Sequence, residues 1–270
     1  AQVMSFVILV MTMAPLIAPV IGGWLIAAFG WRSTFWALVA FALGCIGILR
    51  FSLVETHPAE RRKTGHFTSL FDGYRIILSD PMALFYLGAG GMAFGALFAY
   101  VTGSPFVYTR VFGVSQEHFG YFFALNVFGL LIGNLTNGKL VIRFGHRIML
   151  TAGVATMIMA SGLMLAMTLL GIRGQWLITP ALFISLSTVG LIAANTVAGL
   201  LERHRENAGA ASGLFGVSQF GCGAISSALV GSIGGDPLTT MVIIMTATAM
   251  LAAFCVMVLW HLWKRNALVA

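Results

Sequence analysis

Long apolar stretches alternate with short polar segments along the whole chain. Each apolar stretch holds about 20 residues or more, the length that an α-helix needs to cross roughly 30 Å of bilayer hydrocarbon. The pattern predicts eight membrane-spanning helices, over residues 3–29, 32–54, 82–109, 117–142, 148–172, 175–200, 208–233 and 237–262. We therefore expect an all-α integral membrane protein.

The charged residues fit this division. Hydrophobic residues make up 59% of the 270 positions and charged residues only 9%, which leaves too little polar surface for a soluble globule of this size. Because a charge in hydrocarbon is costly, acidic residues should avoid the spans. All 8 acidic residues lie in the predicted connections or at span ends: Glu55, Glu60, Asp72, Asp80, Glu117, Glu202, Glu206 and Asp236.

The lysines and arginines predict the orientation of the chain. All but three of the 15 lie on one side of the predicted membrane, and the exceptions are Arg32, Arg110 and Arg173. Since cytoplasmic loops carry the excess of basic residues, the long polar connection and the C-terminus are predicted to be cytoplasmic. The net charge of +7 is therefore explained by topology, and no nucleic-acid partner is expected.

The sequence carries no recognisable catalytic or metal-binding motif. Cys45, Cys222 and Cys255 form no Cys-x-x-Cys pair. Residues 133–139 come close to a phosphate-binding loop, but Leu140 stands where that loop needs Ser or Thr, and no strand precedes it. His-Glu-x-x-His and Gly-x-Ser-x-Gly patterns are absent from the 270 residues. We therefore expect no enzyme activity, no metal and no other cofactor.

One extended polar segment divides the predicted spans into two and six. Residues 1–54 hold two spans, residues 55–81 form the predicted cytoplasmic linker, and residues 82–270 hold six. Six spans after a basic linker match one half of a transporter built from two six-helix halves. Ala1 begins almost directly in apolar sequence, without an initiator Met. We expect residues 1–54 to be the last two helices of a truncated first half.

The first span contains a run of small residues interrupted by prolines. Residues 14–23 read Ala-Pro-Leu-Ile-Ala-Pro-Val-Ile-Gly-Gly, so small residues recur every four positions on one helix face and the prolines favour a bend. The run resembles the antiporter motif in the fifth helix of the major facilitator superfamily. The matching positions are Ala14, Ala18, Pro19, Gly22 and Gly23, and two alanines replace glycines of that motif.

A second resemblance lies in residues 138–147. Gly138, Arg143, Gly145 and Arg147 are similar to the superfamily's cytoplasmic loop motif, whereas Ile142 replaces its Asp. A carboxylate there could hold two helix ends together by pairing with a basic residue. This copy of the motif is therefore expected to lack that ion pair. Arg143 and Arg147 have two interpretations: contacts with helix C-termini or anionic lipid, or simple positive-inside anchoring.

Further segments resemble the Bcr/CflA branch of the superfamily, the bicyclomycin and multidrug resistance exporters. These are residues 103–108, 123–126, 208–212 and 219–221, and the order of the motifs aligns the chain with the fifth to twelfth helices. The resemblance implies a partial fold of this superfamily in the bacterial inner membrane, with a complete six-helix second half. It also implies proton-coupled antiport of amphipathic drugs by alternating access.

Substrate recognition is expected to rest on neutral polar and aromatic groups, since no ionisable residue lies deep in a predicted span. At about 100° per residue, Asn126 and Asn137 share one helix face. For Asn126 and Gln219, hydrogen bonds between helices are an equally good explanation, and Tyr108 could be an interfacial anchor. The candidate cavity residues are Tyr100, Ser104, Phe106, Tyr108, Asn126, Asn137 and Gln219.

Two alternatives to drug export stay open at this point. The same fold could carry a metabolite or a sugar, or the chain could be a membrane module that transports nothing. Proton coupling requires a buried titratable group, which the family usually supplies in its first helix. The chain alone is therefore predicted not to transport. Its expected partners are a hydrophobic or amphipathic small molecule, protons and the lipid bilayer.

Overall fold

The computed structural model describes residues 21–22, 24–26, 28–52 and 68–269. All regular elements in these ranges are helices, which confirms the predicted all-α class. The chain divides into two compact units, residues 1–66 and residues 67–270.

The first unit contains the helix α1 (Arg32–Ser52), which corresponds to the predicted span 32–54. A short helical segment precedes it and ends at Gly30, whose φ of 78° is accessible to glycine at little cost. The Ser33 hydroxyl donates to the Gly30 carbonyl at 2.6 Å and closes this turn. In the antiporter-like motif, Gly22 is helical, whereas Ala14, Ala18, Pro19 and Gly23 lie outside the described residues.

The second unit contains six further helices. The short α2 (Thr68–Leu78) occupies the end of the predicted linker and packs against the helix α6 (Ala208–Ser232). The remaining helices are α3 (Pro81–Phe106), α4 (Gln116–Leu169), α5 (Gln175–Arg203), α6 (Ala208–Ser232) and α7 (Pro237–Val269). A π-helical turn (Val107–Val111) extends α3, and a 3-10 turn (Arg205–Asn207) precedes α6.

Gly145 interrupts the long helix α4. Its φ of 76° and ψ of 161° are not helical, so α4 consists of an N-terminal arm (116–144) and a C-terminal arm (146–169). These arms correspond to the predicted spans 117–142 and 148–172. Six helices in the described ranges are long and apolar enough to cross a membrane, and α4 is one of them. Counting its arms separately confirms every predicted span except 3–29, most of which lies outside the described residues.

Glycines allow the spans of the second unit to approach closely. Gly129 and Gly133 place the N-terminal arm of α4 against α5, where a Cβ on Gly133 would lie 2.8 Å from the carbonyl carbon of Ser187. Gly91 similarly brings α3 against α6, because a Cβ there would lie 3.0 Å from the Ser218 carbonyl oxygen. Small residues are the ordinary material of such interfaces in membranes. The spacing of these glycines therefore serves helix packing.

Two aspartates cap the first turns of spans. The Asp80 carboxylate accepts from the backbone N–H of Met82 at 3.0 Å, and Pro81 occupies the first turn of α3. The Asp236 carboxylate accepts from the N–H of Thr239 at 2.9 Å at the start of α7. Both side chains satisfy backbone donors that a helix N-terminus leaves free.

Candidate transport site

A cluster of polar side chains ties α3 to the N-terminal arm of α4 and to α5. We call Tyr100, Ser104, Tyr108, Asn126 and Thr179 the tyrosine cluster. Tyr100 and Ser104 on α3 and Tyr108 in the π-helical turn that extends it are four residues apart and lie on the same side of the helix. The Asn126 side-chain amide donates to the Tyr100 hydroxyl at 3.0 Å, and the hydroxyls of Tyr108 and Thr179 are 3.0 Å apart. All five residues are at most 4% exposed, so the cluster is closed to the surface.

Phenylalanines surround the two tyrosines. Tyr100 stacks on Phe123 with ring centroids 5.9 Å apart, and Tyr108 stacks on Phe122 at 5.0 Å. Phe112 meets Tyr108 edge-on at 5.4 Å. Such rings offer large apolar faces together with the polar hydroxyl tips of the tyrosines. This chemistry suits a flat or bulky amphipathic ligand.

Two buried polar atoms of the tyrosine cluster have no hydrogen-bond partner among the described residues. They are Oδ1 of Asn126 and Oγ of Ser104. An unpaired buried polar group costs about 1–3 kcal/mol, so such atoms are normally matched by another polar group. The cluster therefore offers one strong acceptor and one hydroxyl for an additional hydrogen bond.

Asn137 lies at a different level of the helix bundle. It is eleven residues beyond Asn126, which corresponds to about 16 Å along the helix. The Nδ2 atom of Asn195 on α5 donates to its Oδ1 at 2.6 Å, and both residues are buried. The two predicted asparagines therefore belong to two separate polar contacts, since Asn126 bonds to Tyr100 on α3 and Asn137 bonds to Asn195 on α5.

Phe106 and Gln219 also lie apart from the tyrosine cluster. Phe106 is 45% exposed, and the Arg110 guanidinium stands 5.0 Å from its ring centroid. It borders a cavity of about 280 Å³ together with Thr109 and Phe119. Gln219 is half-buried on α6. The structure thus brings four of the seven predicted cavity residues together, namely Tyr100, Ser104, Tyr108 and Asn126.

Charged residues connect α3 and α5 at the end where α3 begins. The Asp80 carboxylate accepts hydrogen bonds from Arg203 and, at 2.9 Å, from Nε2 of His204. Burial alone would raise the pKa of Asp80, but the bonds from Arg203 and His204 outweigh it and hold the pKa below its ordinary value. Asp80 is therefore ionised at neutral pH and joins two helices besides capping one of them.

The loop-motif residues surround the break in α4 at this same end. His146 lies 3.5 Å from the Glu202 carboxylate and 3.3 Å from the Tyr86 hydroxyl. Burial lowers the pKa of His146, although the charge of Glu202 acts in the opposite direction. Ile142 stands where the motif has Asp, is 87% exposed and cannot form an ion pair. The carboxylates that pair with basic side chains at this end, among the described residues, are those of Asp80 and Glu202.

The positively charged members of the loop motif lie against aromatic rings. The Arg143 guanidinium is 5.3 Å from the ring centroid of Phe144, and that of Arg147 is 5.2 Å from the centroid of Trp263. Gly145 provides the positive φ of the break, and Gly138 is exposed on the N-terminal arm of α4.

Sequence reasoning missed Thr179 and Asn195 on α5, which bond to Tyr108 and Asn137, respectively. Both are polar residues inside the predicted span 175–200, the same signal that selected Asn126 and Asn137. It also missed that Arg203 and His204 reach Asp80.

Comparison with known proteins identifies the family. The family model of the Major Facilitator Superfamily matches residues 1–227. The chain is 31% identical over 266 residues to a bicyclomycin resistance protein homolog of Haemophilus influenzae, covering 98% of this chain and 66% of that protein. It is 28% identical over 251 residues to the uncharacterized MFS-type transporter YdgK of Bacillus subtilis, covering 92% and 62%.

A more distant relative is the enterobactin exporter EntS of Escherichia coli, 27% identical over 244 residues, covering 86% of this chain and 54% of that protein. The chain thus spans between 54% and 66% of the length of these relatives. The relatives are transporters and not enzymes, and the first of them supports assignment to the Bcr/CflA branch. The chain therefore belongs to the major facilitator superfamily of multi-pass membrane transporters.

Proposed function

We propose that this chain is part of a proton-coupled multidrug exporter of the Bcr/CflA type, which moves amphipathic drugs out of the bacterial cell by alternating access. Family membership and the similarity to a bicyclomycin resistance protein homolog support this proposal. The basic residues further support an inner-membrane orientation with the linker and C-terminus in the cytoplasm.

The tyrosine cluster is the observation that carries the proposal. It combines stacked aromatic rings with the unpartnered atoms Asn126 Oδ1 and Ser104 Oγ in a neutral, buried setting. Neutral aromatic surfaces adapt to several ligands, because they impose shape and a few hydrogen bonds instead of a fixed charge pattern. The substrate would contact these residues when α3 moves away from α4.

The π-helical turn beside the cluster supports such a movement. Val107–Val111 follows Pro105, an internal proline of α3, and the Thr109 hydroxyl donates to the Pro105 carbonyl at 2.6 Å. Prolines and π-turns weaken the regular hydrogen-bond ladder of a helix, and π-turns are frequent at functional sites. We assign to this turn the bending that opens the cluster.

The proton-coupling group is proposed to lie elsewhere in the transporter. In the ranges that the structure describes, no Asp, Glu, Lys, Arg or His is among the buried residues. Coupling through the membrane interior requires such a group. The second half would then contribute drug contacts and mobility, and the first half would contribute the proton site.

Antiport can be measured with the full-length gene product in inverted membrane vesicles that hold a pH gradient. Amphipathic drugs are expected to dissipate the gradient. The substitution Asn126→Leu is expected to weaken the apparent drug affinity about ten-fold, because the cluster loses its amide. Thr168→Val is the matched control, since Thr168 is buried outside the cluster and bonds within its own helix at 2.8 Å.

The outcomes separate the proposed substrates. Dissipation by sugars or amino acids alone would replace drug export by metabolite transport, and a gradient unaffected by any compound would indicate a non-transporting module. The enterobactin exporter EntS among the relatives makes enterobactin the first metabolite to include.

A further inference from the structure

A groove runs along the surface of the second unit between the C-terminal arm of α4 and α7. It has a volume of about 460 Å³. Its walls are apolar, with Val154, Ala155 and Ile158 on α4 facing Ala253, Val256 and Met257 on α7. No member of the tyrosine cluster lines it. The groove is therefore separate from the candidate transport site.

The length of the groove matches one leaflet of a membrane. Its lining on α7 extends from Ala253 to Lys264, which is eleven residues or about 16 Å of helix. The hydrocarbon layer is about 30 Å thick, so one leaflet contributes about 15 Å. A single acyl chain of one leaflet would lie along this distance.

One end of the groove is basic and the remainder is uncharged. Lys264 and His261 line this end on α7, and Arg147 lies beside it in the first turn of the C-terminal arm of α4. The groove lining contains no acidic residue, and the nearby carboxylate of Glu202 is paired with His146. The charge at this end is therefore complementary to a phosphate group.

Two tryptophans hold the basic end in place. Nε1 of Trp260 donates to the Thr151 hydroxyl at 2.8 Å and so bridges the two helices. The Trp263 ring meets Trp260 at 5.4 Å and carries the Arg147 guanidinium on its face. Tryptophan is enriched where a membrane protein meets the headgroup region, because its ring is apolar and its N–H is polar. This arrangement marks the level at which a lipid headgroup would lie.

We propose that the groove is a binding site for an anionic phospholipid, whose acyl chain lies between α4 and α7 and whose phosphate contacts Arg147 and Lys264. Each cation near an anionic headgroup should strengthen binding roughly five-fold. Because a zwitterionic lipid carries the same phosphate, part of this gain is common to both lipids, and the two cations together should favour the anionic lipid by about ten-fold.

Quenching of Trp260 fluorescence by brominated lipids tests the site. The protein is placed in vesicles in which either dibrominated phosphatidylglycerol or dibrominated phosphatidylcholine is titrated against the same unbrominated background. Subtracting the signal of Trp260→Phe isolates the groove from the other tryptophans. We expect half-maximal quenching at an about ten-fold lower fraction of the brominated phosphatidylglycerol.

Variants separate the charge from the groove. The double variant Arg147→Gln and Lys264→Gln should make the two lipids equal, whereas Arg110→Gln, an arginine beyond the far end of α3, should keep the preference. Ala155→Phe should reduce quenching by both lipids, since it fills the groove. Equal quenching in the unmodified protein, a preference that survives the double variant, or a Trp260 that neither lipid reaches would overturn the proposal.

Discussion

Replacing Gly133 by alanine tests the close packing that positions the candidate transport site. Gly133 is buried where the N-terminal arm of α4 meets α5. A Cβ at this position would lie 2.8 Å from the Ser187 carbonyl carbon and closer still to its oxygen. Because the obstacle is backbone, no side-chain rotation can relieve the clash, and the two helices must move apart.

The expected cost follows from that separation. Overpacking of this kind typically costs about 1–3 kcal/mol. The hydrogen bonds between Tyr108 and Thr179 and between Asn137 and Asn195 cross between α5 and its neighbours, and each interhelical bond in a membrane contributes about 0.6 kcal/mol. The helix preference of alanine over glycine offsets up to about 1 kcal/mol. We therefore expect a net loss of about 1–3 kcal/mol.

Unfolding by a denaturing detergent in lipid–detergent micelles measures this loss. Gly138→Ala is the matched control, since Gly138 lies on the same arm and a Cβ there meets nothing within 4 Å. It should leave the unfolding free energy unchanged or slightly higher. The reasoning is refuted if the two variants are equally stable.

Three further predictions concern the charged end, the helix break and the chain by itself. Asp80→Asn keeps the helix cap but loses the charge, and it should lower the free energy of unfolding by about 0.2–1 kcal/mol, because the partner Arg203 is 40% exposed. Asp80→Ala also loses the cap and should cost about 1 kcal/mol more. The pKa of Asp80 is lowered in the folded state, so the cost of Asp80→Asn should be complete at neutral pH and disappear as the pH falls through the folded-state pKa. Detergent unfolding at several pH values would show this. Gly145→Ala should lower stability by more than about 1 kcal/mol, because the φ of 76° disfavours a side chain, and the same assay checks this. The chain reconstituted alone in proteoliposomes should show no proton-driven drug transport, and accumulation that follows an imposed pH gradient would contradict this expectation.

The spans were predictable because hydrocarbon imposes a simple length and composition on every segment that crosses it. The break at Gly145 fell between two predicted spans for the same reason, and Asp80 was recognisable as a cap from its position before Pro81. These features are local. They depend on neighbouring residues and on the solvent, and both can be read directly from the sequence.

The partners across the helices were not predictable in the same way. Asn126 was selected by its position in a span, but its contact with Tyr100 and the pairing of Asn137 with Asn195 depend on how helices are rotated and shifted against each other. Arg203 reaches Asp80 from 123 residues away. Such relations are set by the packing of whole helices, so a periodic pattern in one helix cannot specify them.

The central claim is that drug contacts the tyrosine cluster, and substrate protection of Ser104→Cys tests it most directly. Cys45, Cys222 and Cys255 are first replaced by alanine in the full-length, transport-active protein. Ser104 is buried and its hydroxyl has no partner among the described residues, so a cysteine fits there with little change. Thr168→Cys, buried outside the cluster, is the control.

Labelling by a small membrane-permeant maleimide is then followed with and without drug. The account predicts that a transported drug at saturating concentration slows labelling of Ser104→Cys about ten-fold or more and leaves Thr168→Cys unchanged. An identical labelling rate of Ser104→Cys with and without every transported drug would contradict it.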